Sequence, residues 1–183
     1  HMYAGGAQSI ACGTVVDRDG VPLLALGNGR GYAADSYVRA SLVHWLGDRY
    51  GSISAPALSY YAKQMAGFDL LGGVYNYGQT GGVAELTLSA KAQTAALEAM
   101  GEYKGTVAVY NYKTGEILCA VTTPTFDPDD VPDIAGDTTD TFKGVYVNRF
   151  IQSTYIPGSI FKIVTTAAAL DSVEGIEDMT FVC

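Results

Sequence analysis

A serine and a lysine three residues apart, Ser159 and Lys162, are the pair in this sequence best suited to chemistry. On a helix that spacing puts both on one face, with a rise of ~4.5 Å between them. Pro157-Gly158 breaks the segment before them, and proline suits the first turn of a helix, where its missing N–H costs nothing. Ser159 therefore falls at a helix start, where free N–H groups and the helix dipole favour developing negative charge. From Ser159 to Leu170 there is no Gly or Pro, and Ile163, Val164, Ala167, Ala168, Ala169 and Leu170 make the segment apolar nearly all round. That is the pattern of a buried helix. Burial lowers the pKa of a lysine, and such a lysine beside a serine hydroxyl makes a nucleophile and its base. The pair alone is a weak signal. With ten serines and six lysines, one Ser-x-x-Lys arises by chance about one time in three, and a helix cap beside a snorkelling lysine has the same spelling.

Other chemistries are poorly supplied. His1 and His44 cannot make a triad, because His1-Met2 reads as a cloning remnant and His44 beside Trp45 reads as structural. Cys12, Cys119 and Cys183 are odd in number and widely spaced, which gives neither a disulfide framework nor a zinc site. Cys119 lies in an apolar run and reads as a small buried hydrophobe. Asp127, Asp129, Asp130, Asp133, Asp137 and Asp140 form an acidic stretch without the spacing of a calcium loop, and we read it as solvated. No metal and no cofactor is expected. The net charge of −8, with 11 basic residues, argues against nucleic acid as a partner. The 48% hydrophobic content is enough for a core in one domain or two small ones. No apolar run approaches the ~18 residues of a membrane span, and a natural leader or anchor is expected to lie outside these residues.

The elements that must position the pair can be read in order. Gly13–Val16 and Val21–Ala25 flank Asp19-Gly20, a strong hairpin signal. Asn28 to Gly31 reads as a Gly-rich turn. Asp35 to Trp45 reads as a short helix, passing into a strand at Leu42–Trp45. Pro56 to Ala66 reads as a helix stopped by Gly67. Gly72-Gly73, Gly78 and Gly81-Gly82 punctuate the next part, and a domain boundary is expected at Gly81-Gly82. Val83–Leu88 reads as a strand. Ser89 caps a helix Ala90–Met100 that Gly101 stops. Gly105–Tyr112 and Glu116–Thr123 read as two strands of a hairpin joined by Lys113-Thr114-Gly115.

The run from Asn148-Arg149 through Tyr155-Ile156-Pro157-Gly158-Ser159-Ile160-Phe161-Lys162-Ile163-Val164-Thr165 resembles the active-serine region of penicillin-binding proteins. Four further stretches resemble class B members of that family. The stretch Gly13 to Ala25, with Asp17-Arg18 and Gly20, resembles a G-x-I-x-D-R-x-G-x-x-L-A segment near the start of their non-catalytic region. Leu86-Thr87-Leu88-Ser89, with Gln93, resembles the opening of their transpeptidase domain, Ser89 standing where Asp is usual. The hairpin over residues 105–123 and Pro124-Thr125-Phe126-Asp127-Pro128 match as well. His44-Trp45-Leu46-Gly47 resembles the family's H-x-(apolar)-G only weakly. Lys113-Thr114-Gly115 spells the family's third catalytic motif, but in the family that motif follows the serine. Here it precedes Ser159 in a turn that needs Gly for its backbone, so it reads as a decoy.

The resemblance implies an α+β fold: a β-rich N-terminal module over 1–82, of pedestal or dimerisation type, then over 83–183 the first part of a serine transpeptidase, β-lactamase-like domain with antiparallel sheet and helices. It implies a peptidoglycan D,D-transpeptidase at the extracytoplasmic face of the bacterial cell membrane, with peptidoglycan stem peptides as substrates: a D-Ala-D-Ala donor and an amine acceptor. Ser159 would be the nucleophile, Lys162 its base (which group serves as base in this family stays open), and the Ser159 N–H half of the oxyanion hole. β-Lactams would acylate the same serine, and cell-wall synthesis proteins are further partners. The family's Ser-x-Asn occurs nowhere in these 183 residues. Phe181-Val182-Cys183 resembles the F-x-C that follows the serine helix, so the chain is expected to end mid-domain, completed by a second chain or a missing segment. Alone it is expected to be inactive. Two rivals stay open: a serine β-lactamase or β-lactam sensor, and a non-catalytic cell-wall assembly module.

Overall fold

In a computed structural model, the described residues are 13–27, 29–65, 68–69, 74–75 and 81–180. Expectations that rest on His1, Cys12, Asn28, Ala66, Gly67, Gly72-Gly73, Gly78 and Phe181–Cys183 lie outside them. The chain divides into two compact units, His1–Ser153 and Thr154–Cys183, each described by itself.

The first unit opens with strands β1 (Gly13–Val16) and β2 (Pro22–Gly27), paired antiparallel with Val15 opposite Leu24. Asp17 closes their turn: its Oδ1 accepts from the Asp19 and Val21 N–H groups, each at 2.8 Å. Gly20 supplies the positive φ of +79° that the turn demands. The expected Gly-rich turn is partly a strand, β3 (Gly29–Tyr32), antiparallel to β2. Main-chain pairing asks nothing of a side chain, so glycines can serve at this sheet edge. Strand β6 (Val83–Glu85) completes the order β3-β2-β1-β6 and runs parallel to β1, with Ala84 opposite Val15. The residues on either side of Gly81-Gly82 thus share one sheet. Two-residue strands β4 (Phe68–Asp69) and β5 (Val74–Tyr75) pair separately.

Helix α1 (Ser36–Leu46) is continuous, without the strand expected at Leu42–Trp45. Asp35 caps it by accepting from the Tyr37 and Val38 N–H groups. The apolar cluster that suggested a strand is the helix's buried C-terminal half, where Leu42, Val43 and Leu46 enter the core. Gly47 ends the helix at φ +77°, and a Cβ there would lie 2.9 Å from that of Ala55 and 3.0 Å from Arg30 Nη1. Helix α2 (Pro56–Met65) follows, so the part before Gly81 mixes helix with strand. Val15, Leu23, Leu24, Leu42, Leu46 and Leu58 share one core with Ala84, Leu86 and Leu88 from beyond Gly81-Gly82.

The expected Val83–Leu88 strand ends at Glu85, although Leu86 N–H still donates to Val16 O and Leu88 O accepts from Arg18 N–H. Helix α3 (Ala90–Met100) is capped by Ser89 and also by Asp17, whose Oδ2 accepts from Ala90 N–H at 2.9 Å. Strands β7 (Gly105–Tyr110) and β8 (Ile117–Thr123) form the expected antiparallel hairpin, Val107 opposite Val121. Gln93, fully buried on α3, pins three elements: its Nε2 donates to Ser41 O on α1 and its Oε1 accepts from Ala120 N–H on β8 at 2.6 Å. Cys119 is buried beside Val121 and Met100, and burial pushes its thiol pKa up. The unit closes with the short helix α4 (Arg149–Gln152). The second unit holds a 3₁₀ turn (Gly158–Phe161), helix α5 (Lys162–Ser172) and a second 3₁₀ turn (Ile176–Asp178).

Candidate active site

Ser159 is the second residue of the 3₁₀ turn, and Lys162 is the first residue of α5. Pro157 starts the turn in helical conformation, while Gly158 takes a positive φ of +54°. Lys162 directly follows the turn, three positions beyond Ser159. The Lys162 N–H donates to Ser159 O and the Ile160 N–H to Pro157 O. The Ser159 N–H has no backbone acceptor among the described residues, as expected for the first donors of a helix.

Both side chains are exposed, and among the described residues neither makes a hydrogen bond. The expected burial of the helix is not found: Ile160, Phe161, Ile163, Val164 and Leu170 are all exposed. Composition gives a helix an apolar surface, but burial also needs an element to cover it, and the described residues of the second unit supply none. Lys162 is exposed as well, so the burial expected of it is not found.

Before the serine, the chain is held by a polar network. Asn148 caps α4: its Oδ1 accepts from Phe150 N–H, and its own N–H donates to Gln152 Oε1 at 2.8 Å. Its Nδ2 donates to His44 O in the last turn of α1. Arg149 Nε donates to Thr123 O at the end of β8, and its Nη2 to Lys143 O. The His44 ring, buried, donates from Nε2 to Val145 O at 2.7 Å. Trp45 Nε1 donates to Ala120 O, and its ring lies 6.0 Å from that of Phe150. These contacts fix helix α1, strand β8 and helix α4 as one frame.

Asp127 is not simply solvated. It takes a bidentate pair from Arg39, Nε to Oδ1 at 2.7 Å and Nη2 to Oδ2 at 2.5 Å. The Arg39 hydrogen bond holds its carboxyl below the usual range. Asp129 pairs with Arg49, and Asp137 accepts from the N–H groups of Thr139 and Phe142. Among the described residues no cluster of His, Cys, Asp or Glu could hold a metal ion.

Lys113-Thr114-Gly115 lies in the exposed turn between β7 and β8. The Gly115 N–H donates to Asn111 O at 2.7 Å with φ +79°, and the Lys113 ammonium sits 5.7 Å from the centre of the Tyr112 ring. Arg39 and the roles of Asn148 and Arg149 escaped the sequence reading. Asn-Arg at the head of the serine run was the visible signal.

Residues 105–174 match the family model described as the penicillin-binding protein transpeptidase domain. Among curated proteins, the peptidoglycan D,D-transpeptidase PbpA of Mycolicibacterium smegmatis is 36% identical over 105 residues, 50% of this chain and 21% of that protein. PbpA of Mycobacterium tuberculosis is 36% identical over 103 residues, again 21% of its length. The match thus spans about a fifth of these relatives. Among solved structures, the D,D-transpeptidase domain of a peptidoglycan glycosyltransferase from Eggerthella lenta superposes with a TM-score of 0.64 at 29% identity, over 90% of this chain and 38% of that one. Pseudomonas aeruginosa PBP2, crystallised in complex with WCK 5153, gives 0.61 at 20% identity, over 88% of this chain and 39% of that one, a likeness of fold.

Proposed function

We propose that this chain is the front part of a class B penicillin-binding protein, to whose transpeptidase domain it is similar, and that it supplies the nucleophile of a peptidoglycan D,D-transpeptidase that works through a serine acyl-enzyme. In this reading residues 1–82 are the non-catalytic module and 83–183 the front of the catalytic domain. Ser159 Oγ attacks the carbonyl between the two D-Ala residues of a stem peptide, and Lys162 Nζ takes the hydroxyl proton. The Ser159 N–H faces the developing oxyanion, a term worth about 3 kcal/mol per donor. The C–N bond breaks, terminal D-Ala leaves as an amine carrying the proton, and Ser159 holds the acyl group. An amine of a second stem attacks the ester, cross-links the two stems and returns the proton to Ser159. β-Lactams would be opened by the same attack.

The reading rests chiefly on one observation. Ser159, in the 3₁₀ turn that leads into α5, and Lys162, the first residue of α5, fall inside the segment that matches the transpeptidase family. The chemistry belongs at the extracytoplasmic face of the membrane, where peptidoglycan is assembled. Among the described residues no helix is long and apolar enough to cross a membrane. Fluorescent penicillin with the full-length protein tests the assignment. Ser159→Ala is expected to abolish labelling, and Lys162→Ala to slow it by ~10²–10⁴-fold. Label retained by Ser159→Ala would overturn it.

A further inference from the structure

We propose that residues 126–147 form an acid-released strap, pinned at both ends to α1, which opens as its ionisable ties take up protons while α1, α3 and the β7–β8 hairpin stay folded. Every contact involved lies in the first unit, and none depends on the chemistry assigned to Ser159.

The two ends of the loop meet on one helix. Thr125 Oγ1 donates to Ala40 O, and Asn148 Nδ2 donates to His44 O. Those carbonyls stand one turn apart on α1, and neither tie titrates. Between the ends, Phe126 and Val145 pack against Val43 and Ile53, with Ile134 and Phe142 half-buried beside them. That small core is separate from the larger one joining α1 to α2 and the β1–β2 pair. A segment held by few apolar contacts of its own is where partial opening begins. Among the described residues, the other ties from the loop to α1 and the turn after it all involve titrating groups. Arg39 pairs with both oxygens of Asp127, and Arg49 pairs with Asp129. The buried His44 ring donates from Nε2 to Val145 O at 2.7 Å, which leaves Nδ1 as the bare nitrogen, buried without a partner. A second ring proton would have no protein acceptor. Within the loop, the Asp137 carboxylate accepts from the Thr139 hydroxyl and from the Thr139 and Phe142 N–H groups.

The Arg39 hydrogen bond holds the Asp127 carboxyl below its usual range, the Thr139 hydroxyl does the same for Asp137, and desolvation does it for His44. All three shifts have one sign, so the closed loop binds fewer protons than the open one. Each contribution is complete above the unfolded value, 6.5 for His44 and 3.8 for the two aspartates, and is lost as pH falls through the folded one. His44 therefore yields first and the carboxylates second. The surrounding charges do not reverse this order. Arg149 on α4 opposes a second charge on the ring, Lys104 before β7 acts on Asp137, and Asp35 and Asp129 act on Arg39. The buried Asp48 carboxylate already accepts from the Tyr50 and Ile53 N–H groups. Asp133 accepts from Gly136 N–H, and Asp140 pairs with Lys143, both inside the loop. Lys104 and Arg149 also donate to the exposed carbonyls of Asp140 and Lys143. Those donors stay charged throughout and set a floor that acid does not remove.

Native-state amide exchange of the full-length protein, read as protection factors from pH 4 to 8, tests this. The reporters are Phe142, Lys143, Val145 and Val147, whose N–H groups are bonded within the loop; the paired amides of β7 and β8 are the reference. Loop protection is expected to hold above about pH 6.5 and to fall below it by up to about tenfold per pH unit, while the hairpin keeps its protection. His44→Gln keeps a donor for Val145 O without a titrating ring and should remove that fall. Asp127→Asn should lower loop protection at pH 6 and leave the hairpin unchanged. Loop protection that ignores pH, that falls in step with the hairpin, or that falls equally in His44→Gln would overturn the proposal. Should the glutamine variant misfold, NMR titration of His44 in the wild type replaces it. A ring midpoint that coincides with loop opening supports the strap, and a separate midpoint overturns it.

Discussion

Asp17 is buried and accepts from three backbone N–H groups, those of Asp19, Val21 and Ala90. One side chain thus closes the β1–β2 turn and starts helix α3. Asp17→Ala would leave those donors unpaired and is expected to cost about 3 kcal/mol, read as a lower urea midpoint. Asp17→Asn keeps one acceptor and should recover part of the loss; equal stability of wild type and Asp17→Ala would refute the assignment. Asp127 makes a pH-dependent contribution. Its folded pKa lies below the ordinary 3.8, chiefly through the Arg39 hydrogen bond. The pair therefore stabilises fully above the unfolded value and loses its effect as pH falls through the folded one. The stability gap between wild type and Asp127→Asn should be open at pH 6 and close progressively below about pH 4. A gap that does not change with pH would exclude this ion pair as its source. At this scale the turn that carries Ser159 into Lys162 was legible, because their spacing is local and Pro157-Gly158 marks it. It hid Arg39 with Asp127, 88 positions apart, and His44 with Val145, 101 apart. No spacing rule reaches across such distances.

The elements were most legible where local chemistry also sets the boundaries. Helix α3 lies between Ser89 and Gly101, as the capping residues foretold. The β7–β8 hairpin turns about Gly115. Errors fell where tertiary packing decides. Leu42–Trp45 has the composition of a strand, yet belongs to a helix already started by Asp35. Gly29–Gly31 resembles a loop, yet pairs at a sheet edge. The turn carrying Lys113 gives a prediction of its own. Lys113 is exposed, and its ammonium lies over the Tyr112 ring, a contact worth about 0.5–1 kcal/mol at an exposed site. Lys113→Ala in the full-length protein should lower stability by no more than that and leave penicillin labelling unchanged. Loss of labelling by a folded variant would make this turn part of the catalytic cleft.

For the molecule as a whole, the decisive quantity is how much machinery the 183 residues contain. Ser159 and Lys162 are present; Ser-x-Asn is absent, and Lys-Thr-Gly occurs only in the β7–β8 turn. General-base assistance supplies ~10²–10⁴-fold, whereas enzymes reach accelerations of ~10⁶ or more. The balance must come from binding, orientation and further oxyanion donors, which need walls around the serine. Ile160 and Ile163, beside the pair, are 70% and 72% exposed, and Val109 on β7 is 50% exposed. Apolar side chains left in water to that degree also favour association over a clean monomer. Residues 1–183, expressed alone, are therefore expected to bind an apolar dye such as ANS strongly and to take up fluorescent penicillin at Ser159 no faster than slow background acylation. Rapid, stoichiometric labelling of Ser159 would show that the residues present already form a complete site, and that neither Ser-x-Asn nor a later Lys-Thr-Gly is needed for acylation.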